Sequence, residues 1–331
     1  MIKIRNAILH ILRNDGPESI FSDSELDIDS EICEIFIQKH VKKLINNSAV
    51  RKAFFKPDAE LYNLFCAYQN GEKFFKETSL FVAKKMDALM QKYKAIPPCD
   101  VLIARVGYNS KGVHGEYLAI LLLHYHEVYS HKSKGTDNQL KTCNALPFNS
   151  GKVEYAALIS LEGNALPINL VEKAEVIDGN AVNYFSEIFL DCETSPSEKE
   201  QAALIGEVTT EFVEEFFNND PKISARIKTA MLEESAEADE GVISLENVAA
   251  KALNDEMKTQ YVATLREAGV REDVPLGERV VKAQFATHKI KAENGVEIRF
   301  PAELAAIEDD LEITTHSDGT VSVLFKNLRL V

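Results

Sequence analysis

The sequence predicts an α+β protein: a mixed N-terminal sheet with flanking helices over residues 1–193, then a helical region with small C-terminal β-hairpins over 194–331. Three observations carry this reading. Cys99–Tyr108 and Tyr117–Tyr129 are extended apolar segments either side of the short polar loop 109–112, the pattern of a hairpin. Lys73–Lys94 repeats its apolar residues at helical spacing. Asn294-Gly295 and Asp318-Gly319 are two-residue turn signals, because their turn type needs positive φ at both central positions.

In chain order, residues 2–12 alternate apolar and polar side chains as a first strand, and Gly16-Pro17 turns the chain. The acidic stretch Asp23–Glu34 leads into a helix marked by Ile32, Ile35, Phe36, Leu44 and Ile45, its acids suiting the positive end of the helix dipole. In Lys73–Lys94, Phe75, Val82, Met86, Leu89 and Tyr93 fall on one face and the lysines around the rest. Pro97-Pro98 ends that helix, since proline cannot continue its hydrogen bonds. The run Leu118–Leu123 reads as a central buried strand, although a continuous apolar run also fits a helix. Ser130–Lys141 reads as a polar loop, and Ala156–Leu161 and Phe185–Leu190 as further strands.

Ser195-Pro196-Ser197-Glu198 reads as a capping box with proline at the first helical position. Leu204, Ile205, Val208, Phe212 and Phe216 then mark an apolar stripe, with Glu200, Glu207, Glu211, Glu214 and Glu215 largely off it. Helices are expected at Lys222–Glu234, Ser244–Asn254 and Asp255–Ala268, with Ser235–Gly241 as an acidic connector. In the closing hairpins Ile290 should face Ile298, and Leu311–Thr315 should face Val321–Phe325.

Composition bounds the function. With 331 residues, 45% of them hydrophobic and 27% charged, the chain is long enough for about two folded domains and is not a disordered tract. Its net charge is −15, but residues 1–150 carry 20 basic and 17 acidic groups while 151–331 carry 17 and 35. Nucleic-acid affinity comes largely from cations displacing condensed counterions, so any such contact should use the N-terminal half. Five scattered cysteines with no C-x-x-C spacing argue against a disulfide framework or a thiolate zinc site. Lys3, Arg5 and His10 interrupt the first ten residues, and Leu118–Leu123 falls far short of a bilayer span, so a soluble cytoplasmic protein is expected, with no membrane partner.

No catalytic constellation stands out, and no cofactor is implied. His124 and His126 share one strand face with Glu127 and His131 nearby, but a convincing third zinc ligand on that face is lacking. Gly107-x-x-x-x-Gly112 resembles a phosphate loop, yet Val113 and His114 stand where the lysine and hydroxyl should be. Lys111 and His114 at the tip of that loop still suit contact with a ligand. Glu256-Met-Lys258 has nuclease-like spacing without an upstream strand aspartate.

The best candidate interaction surface is cationic. Lys73, Lys76, Lys84, Lys85, Lys92 and Lys94 surround one helix, with Phe74 and Phe81 off its core stripe. Arg51, Lys52, Phe54, Phe55 and Lys56 add a basic-aromatic cluster, and Lys111 a further cation. Cations hold phosphates, while exposed rings stack on bases or on a partner.

Several of these segments together resemble the bacterial 37-kDa nucleoid-associated protein family. Ile2–Leu12 is similar to its opening strand, Asp100–Val106 with Glu116–Leu123 to its central hairpin, and Asn294–Pro301 followed by Asp318–Leu328 to its closing strands. The mass of 37.0 kDa agrees. Some members place basic residues before the long helix that follows the core strands, where this chain has the acidic stretch Asp191–Glu200. The resemblance implies a non-enzymatic protein of the bacterial nucleoid. Its expected partners are DNA, bound weakly and salt-sensitively, or a nucleoid-bound protein of chromosome maintenance that recruits the chain as an acidic adaptor; a homodimer is compatible with either.

Overall fold

The computed structural model describes residues 2–14, 16, 18–110, 113–134, 137–147, 153–238, 241–291, 295–306, 311–316 and 320–327. It divides into two compact units, Met1–Ser195 and Pro196–Val331. Unit 1 contains β1 (Ile2–Leu12), α1 (Glu31–Ile45), β2 (Arg51–Phe55), α2 (Glu60–Gln69), α3 (Phe75–Lys92), β3 (Cys99–Ser110) and β4 (Val113–Leu123). It continues with β5 (His126–Lys134), β6 (Asp137–Ala145), β7 (Tyr155–Ser160), β8 (Ile168–Val171), β9 (Glu175–Ile177), β10 (Asn180–Val182), a π-helix (Phe185–Leu190) and β11 (Cys192–Thr194).

Seven of these strands form one antiparallel sheet in the order β1-β3-β4-β7-β8-β2-β11. Successive strand residues point to opposite faces. Val101, Ile103, Leu118, Ile120, Leu122, Ala157 and Ile159 therefore join one core with residues of α2, α3 and the π-helix. Leu102, Ala104, Val106, Ala119, Leu121, Leu123, Ala156 and Leu158 join the other with Ile37, Val41 and Leu44 of α1. Leu118–Leu123 is apolar throughout because this central strand is covered on both faces.

Unit 2 holds α4 (Glu198–Phe217), α5 (Pro221–Glu237), β12 (Val242–Ser244), α6 (Leu245–Ala252), α7 (Asp255–Glu267), β13 (Asp273–Pro275) and α8 (Glu278–Phe285). The hairpins β14 (Thr287–Lys291) with β15 (Glu297–Pro301) and β16 (Leu311–Thr315) with β17 (Val321–Phe325) follow. Their registers pair Ile290 with Ile298 and Leu311 with Phe325, the facing residues expected, but Lys291 opposite Glu297 and Thr315 opposite Val321 leave five residues in each connection, so these are not the two-residue turns that the Asn-Gly and Asp-Gly signals predict. Asn294, Asp318 and Gly319 themselves lie outside the described residues.

The mixed α+β class stands, and five further local expectations are corrected. The strand expected to run to Tyr129 ends at Leu123, and the expected loop 130–141 belongs to a separate hairpin, β5–β6. Its described side chains from Glu127 to Asn144 are exposed on both sides, so the sequence shows no buried period there. Phe185–Leu190 is a π-helix rather than a strand, with Phe185 stacked on Phe189 at 5.5 Å, and it stops at Asp191 in the left-handed region at φ 55°. Ile32 is solvent-exposed, and α1 buries Ile37, Val41 and Leu44 instead. Two capping boxes overlap in Ser195–Glu200, and the second is used: Ser197 caps α4 and Glu200 answers it.

Burial also sets a pH dependence. His288 on β14 is enclosed against Phe300, and neither ring nitrogen has a hydrogen-bond partner. Burial, helped by the Lys228 ammonium, pushes its pKa down to about 4. The unfolded chain therefore takes up this proton before the folded one, and unit 2 loses stability as pH falls from about 6.5 towards 4. The loss approaches about 3 kcal/mol over that interval. In unit 1, His10 is likewise pushed down to about 4 by burial, but burial pushes the Asp100 carboxyl up to about 6, and that contribution is lost as pH rises. His288→Phe should retain the ring packing and flatten the acid limb of a denaturation series between pH 7 and 4.5; an unchanged limb would contradict this assignment.

Candidate nucleic-acid interface

α3 lies on the sheet by burying Phe75, Thr78, Ser79, Val82, Ala83, Met86 and Met90. Its lysines occupy the solvent side, but they do not line one ridge. Lys76, Lys84 and Lys92 are eight residues apart, so each is turned roughly 80° from the last at 3.6 residues per turn. The cations thus spiral around α3, with Glu77 and Asp87 interspersed. Phe74 is 75% exposed and Phe81 36%, so both rings stay on the solvent side as their spacing predicts.

The ten cations chosen from the sequence fall into different environments. Arg51, on β2, pairs with Glu172 at 3.5 Å, and that carboxylate is almost wholly buried. Lys56 pairs with Asp191 at 2.7 Å, which holds its ammonium above the usual lysine range. Lys85 pairs with Glu60 of α2 at 3.0 Å. These three are engaged by carboxylates of unit 1. Lys52 on β2, Lys73 and Lys76 at the start of α3, Lys84 in its middle, and Lys92 and Lys94 at its end are all exposed. None of these six forms an ion pair among the described residues. The Lys92 ammonium sits 4.8 Å from the Tyr93 ring centroid, and Tyr93 raises its pKa. Lys94 donates to the Gln91 side-chain carbonyl at 2.7 Å. Lys111 lies outside the described residues.

The rings of the basic-aromatic cluster divide in the same way. Phe55 packs against Tyr62 and Phe65, whereas Phe54 is 55% exposed beside Lys52. Charge is less asymmetric in space than along the chain. Unit 1 as a whole has 22 basic and 25 acidic residues, and two acids of its later part, Glu172 and Asp191, lie against Arg51 and Lys56. Unit 2 has 15 basic and 27 acidic residues.

The other motifs are built into the fold. His124 Nδ1 is 3.2 Å from the Pro98 carbonyl oxygen, and His131 is exposed on β5. Among the described residues, no three His, Cys, Asp or Glu side chains gather as a metal site. Lys258 of the nuclease-like triplet pairs with Glu246 at 3.0 Å. Gly107 passes beside Glu116, where a side chain would meet the carboxylate at 3.0 Å; that carboxylate bridges Arg5 and Arg105 at 3.1 Å each. No helix of the described residues is long and apolar enough to cross a membrane.

Sequence reasoning missed the β5–β6 hairpin as an exposed feature. Its signal was compositional: residues 128–153 contain four lysines and one acidic residue.

A family model described as nucleoid-associated protein YejK matches residues 8–330. A comparison with curated proteins returns no match.

Proposed function

The chain belongs to the nucleoid-associated protein YejK family, and on that premise we propose that it contacts chromosomal DNA in the cytoplasm directly, weakly and without a chemical step. The contact uses Lys73, Lys76, Lys84, Lys92 and Lys94 around α3, together with Lys52. The observation that supports this reading is that these six cations are exposed and form no ion pair among the described residues, in a chain of net charge −15. An ammonium with no carboxylate partner can take a phosphate oxygen and release a condensed counterion. Phe81, between Lys84 and Lys85 on the same turns, supplies an exposed ring beside the charge.

A second reading has its own support. Glu207, Glu211, Glu214 and Glu215 are exposed on α4 without ion pairs among the described residues, an acidic ridge suited to a basic protein. In that case the chain reaches the nucleoid as an adaptor. A gel shift with purified protein and duplex DNA separates the two. Binding at about 50 mM salt that fades by about 200 mM supports direct contact. No binding at the lower salt, with capture of a basic chromosome-maintenance protein that E207Q/E211Q/E214Q/E215Q abolishes, supports the adaptor.

A further inference from the structure

The β5–β6 hairpin leaves the sheet after β4 and returns to it at β7. Nine residue pairs hold it together, from His126 opposite Ala145 to Lys134 opposite Asp137. Every described side chain from Glu127 to Asn144 is exposed. Tyr129 is 82% exposed and Leu140 80%. A two-stranded ribbon without a covered face is marginally stable alone in water. Such an element is retained for what it touches.

Register gives the hairpin two unlike sides, because directly opposed residues share a face. Tyr129 opposite Thr142 and His131 opposite Leu140 make one side. Val128 opposite Cys143, Ser130 opposite Lys141 and Lys132 opposite Gln139 make the other. From residue 128 to 145 the chain has three lysines and one acidic residue, against a net −15 for the whole. Hydroxyl and amide groups fill most remaining positions.

Its placement adds to the charge. The root of the hairpin is tied to the chain leaving α3, where His124 meets the Pro98 carbonyl oxygen. Lys92 and Lys94 precede that proline by a few residues. The hairpin therefore rises from the end of the sheet where the α3 cations finish.

The geometry points to β5–β6 as an arm that lies in a groove of duplex nucleic acid, with the Tyr129 and Leu140 side turned to the groove floor and Lys132 and Lys141, on the other side of the ribbon, reaching the flanking phosphates. A two-stranded ribbon fits a B-form major groove about 12 Å wide. The inference rests on the reading that this chain binds DNA, and it extends the contact beyond α3.

The chain has no tryptophan, so Tyr129→Trp places a single reporter on the arm of the full-length protein. On adding duplex DNA, the tryptophan should lose accessibility to acrylamide in step with the anisotropy of the labelled duplex. Lys132→Gln with Lys141→Gln should lower affinity about 60-fold near 0.1 M salt and reduce the salt slope by about 1.8, while circular dichroism stays unchanged. If the wild type binds DNA but neither the tryptophan nor the slope responds, the arm is overturned and DNA contact through α3 stands. If the wild type binds no duplex, both fall. Shielding of the tryptophan with protein concentration alone, without DNA, would make the arm a contact between copies and overturn the proposal.

Discussion

Converting Lys84, Lys92 and Lys94 together to glutamine should lower DNA affinity on the order of 500-fold near 0.1 M salt. Each of these ammonium groups is exposed and none is paired with a carboxylate among the described residues. Each is therefore free to displace one condensed counterion, and three such losses multiply. The same change at Lys85 should do far less, because Glu60 already holds that ammonium at 3.0 Å. Folding should change by about 1 kcal/mol at most, since Lys84 and Lys94 are exposed and in no ion pair among the described residues, and Lys92 gives up only a surface contact with Tyr93 at the C-terminal end of α3. Fluorescence anisotropy of a labelled duplex, run beside thermal denaturation, separates binding from stability. Equal losses from the free and the paired lysines would mean that bulk charge, not this surface, sets the affinity.

Arg51→Met should act in the opposite way, destabilising unit 1 by about 3 kcal/mol while leaving DNA binding nearly intact. The Glu172 carboxylate is almost wholly buried. It accepts the Ser186 hydroxyl at 2.6 Å and the Ser186 amide at 3.1 Å, and Arg51 is its cation at 3.5 Å. Burial already raises the Glu172 pKa above the ordinary glutamate range, partly offset by Ser186 and Arg51. Removing the guanidinium strands the charge and raises that pKa further. A group with a raised folded pKa loses its contribution as pH rises through it, so the Arg51→Met deficit should be larger at pH 8 than at pH 5. Adding Glu172→Gln should restore much of the stability. Chemical denaturation at the two pH values reads both effects. A stable Arg51→Met protein that no longer binds DNA would return Arg51 to the interface.

How much of this was legible in the sequence depends on how local each cause is. Leu118–Leu123 read as a central buried strand while also fitting a helix, and Asn294-Gly295 and Asp318-Gly319 marked two hairpins that are present, though with longer connections than a two-residue turn. Phe185 and Phe189, four apart, fitted a helix as well as a strand, and the left-handed Asp191 that ends it has no clear sequence mark. The β5–β6 hairpin was hidden because it buries nothing, so no period separates its faces. The cationic set was legible as residues but not as a surface. Arg51 meets Glu172 121 positions away, and Lys56 meets Asp191 135 positions away. Such pairings belong to the order of strands in the sheet, in which β2 lies between β8 and β11. These two pairs engage Arg51 and Lys56, the Glu60 carboxylate of α2 engages Lys85, and six cations remain that the sequence could not have singled out.

The most direct test is the slope of log affinity against log salt for duplex DNA, measured for the full chain and for K76Q/K84Q/K92Q/K94Q. A linear fall for the full chain is expected, with a slope shallower by about 3.6 in the variant, since each lost phosphate contact removes about 0.9. Parallel lines for the two proteins, or an affinity that ignores salt, would contradict direct DNA contact through the free lysines of α3.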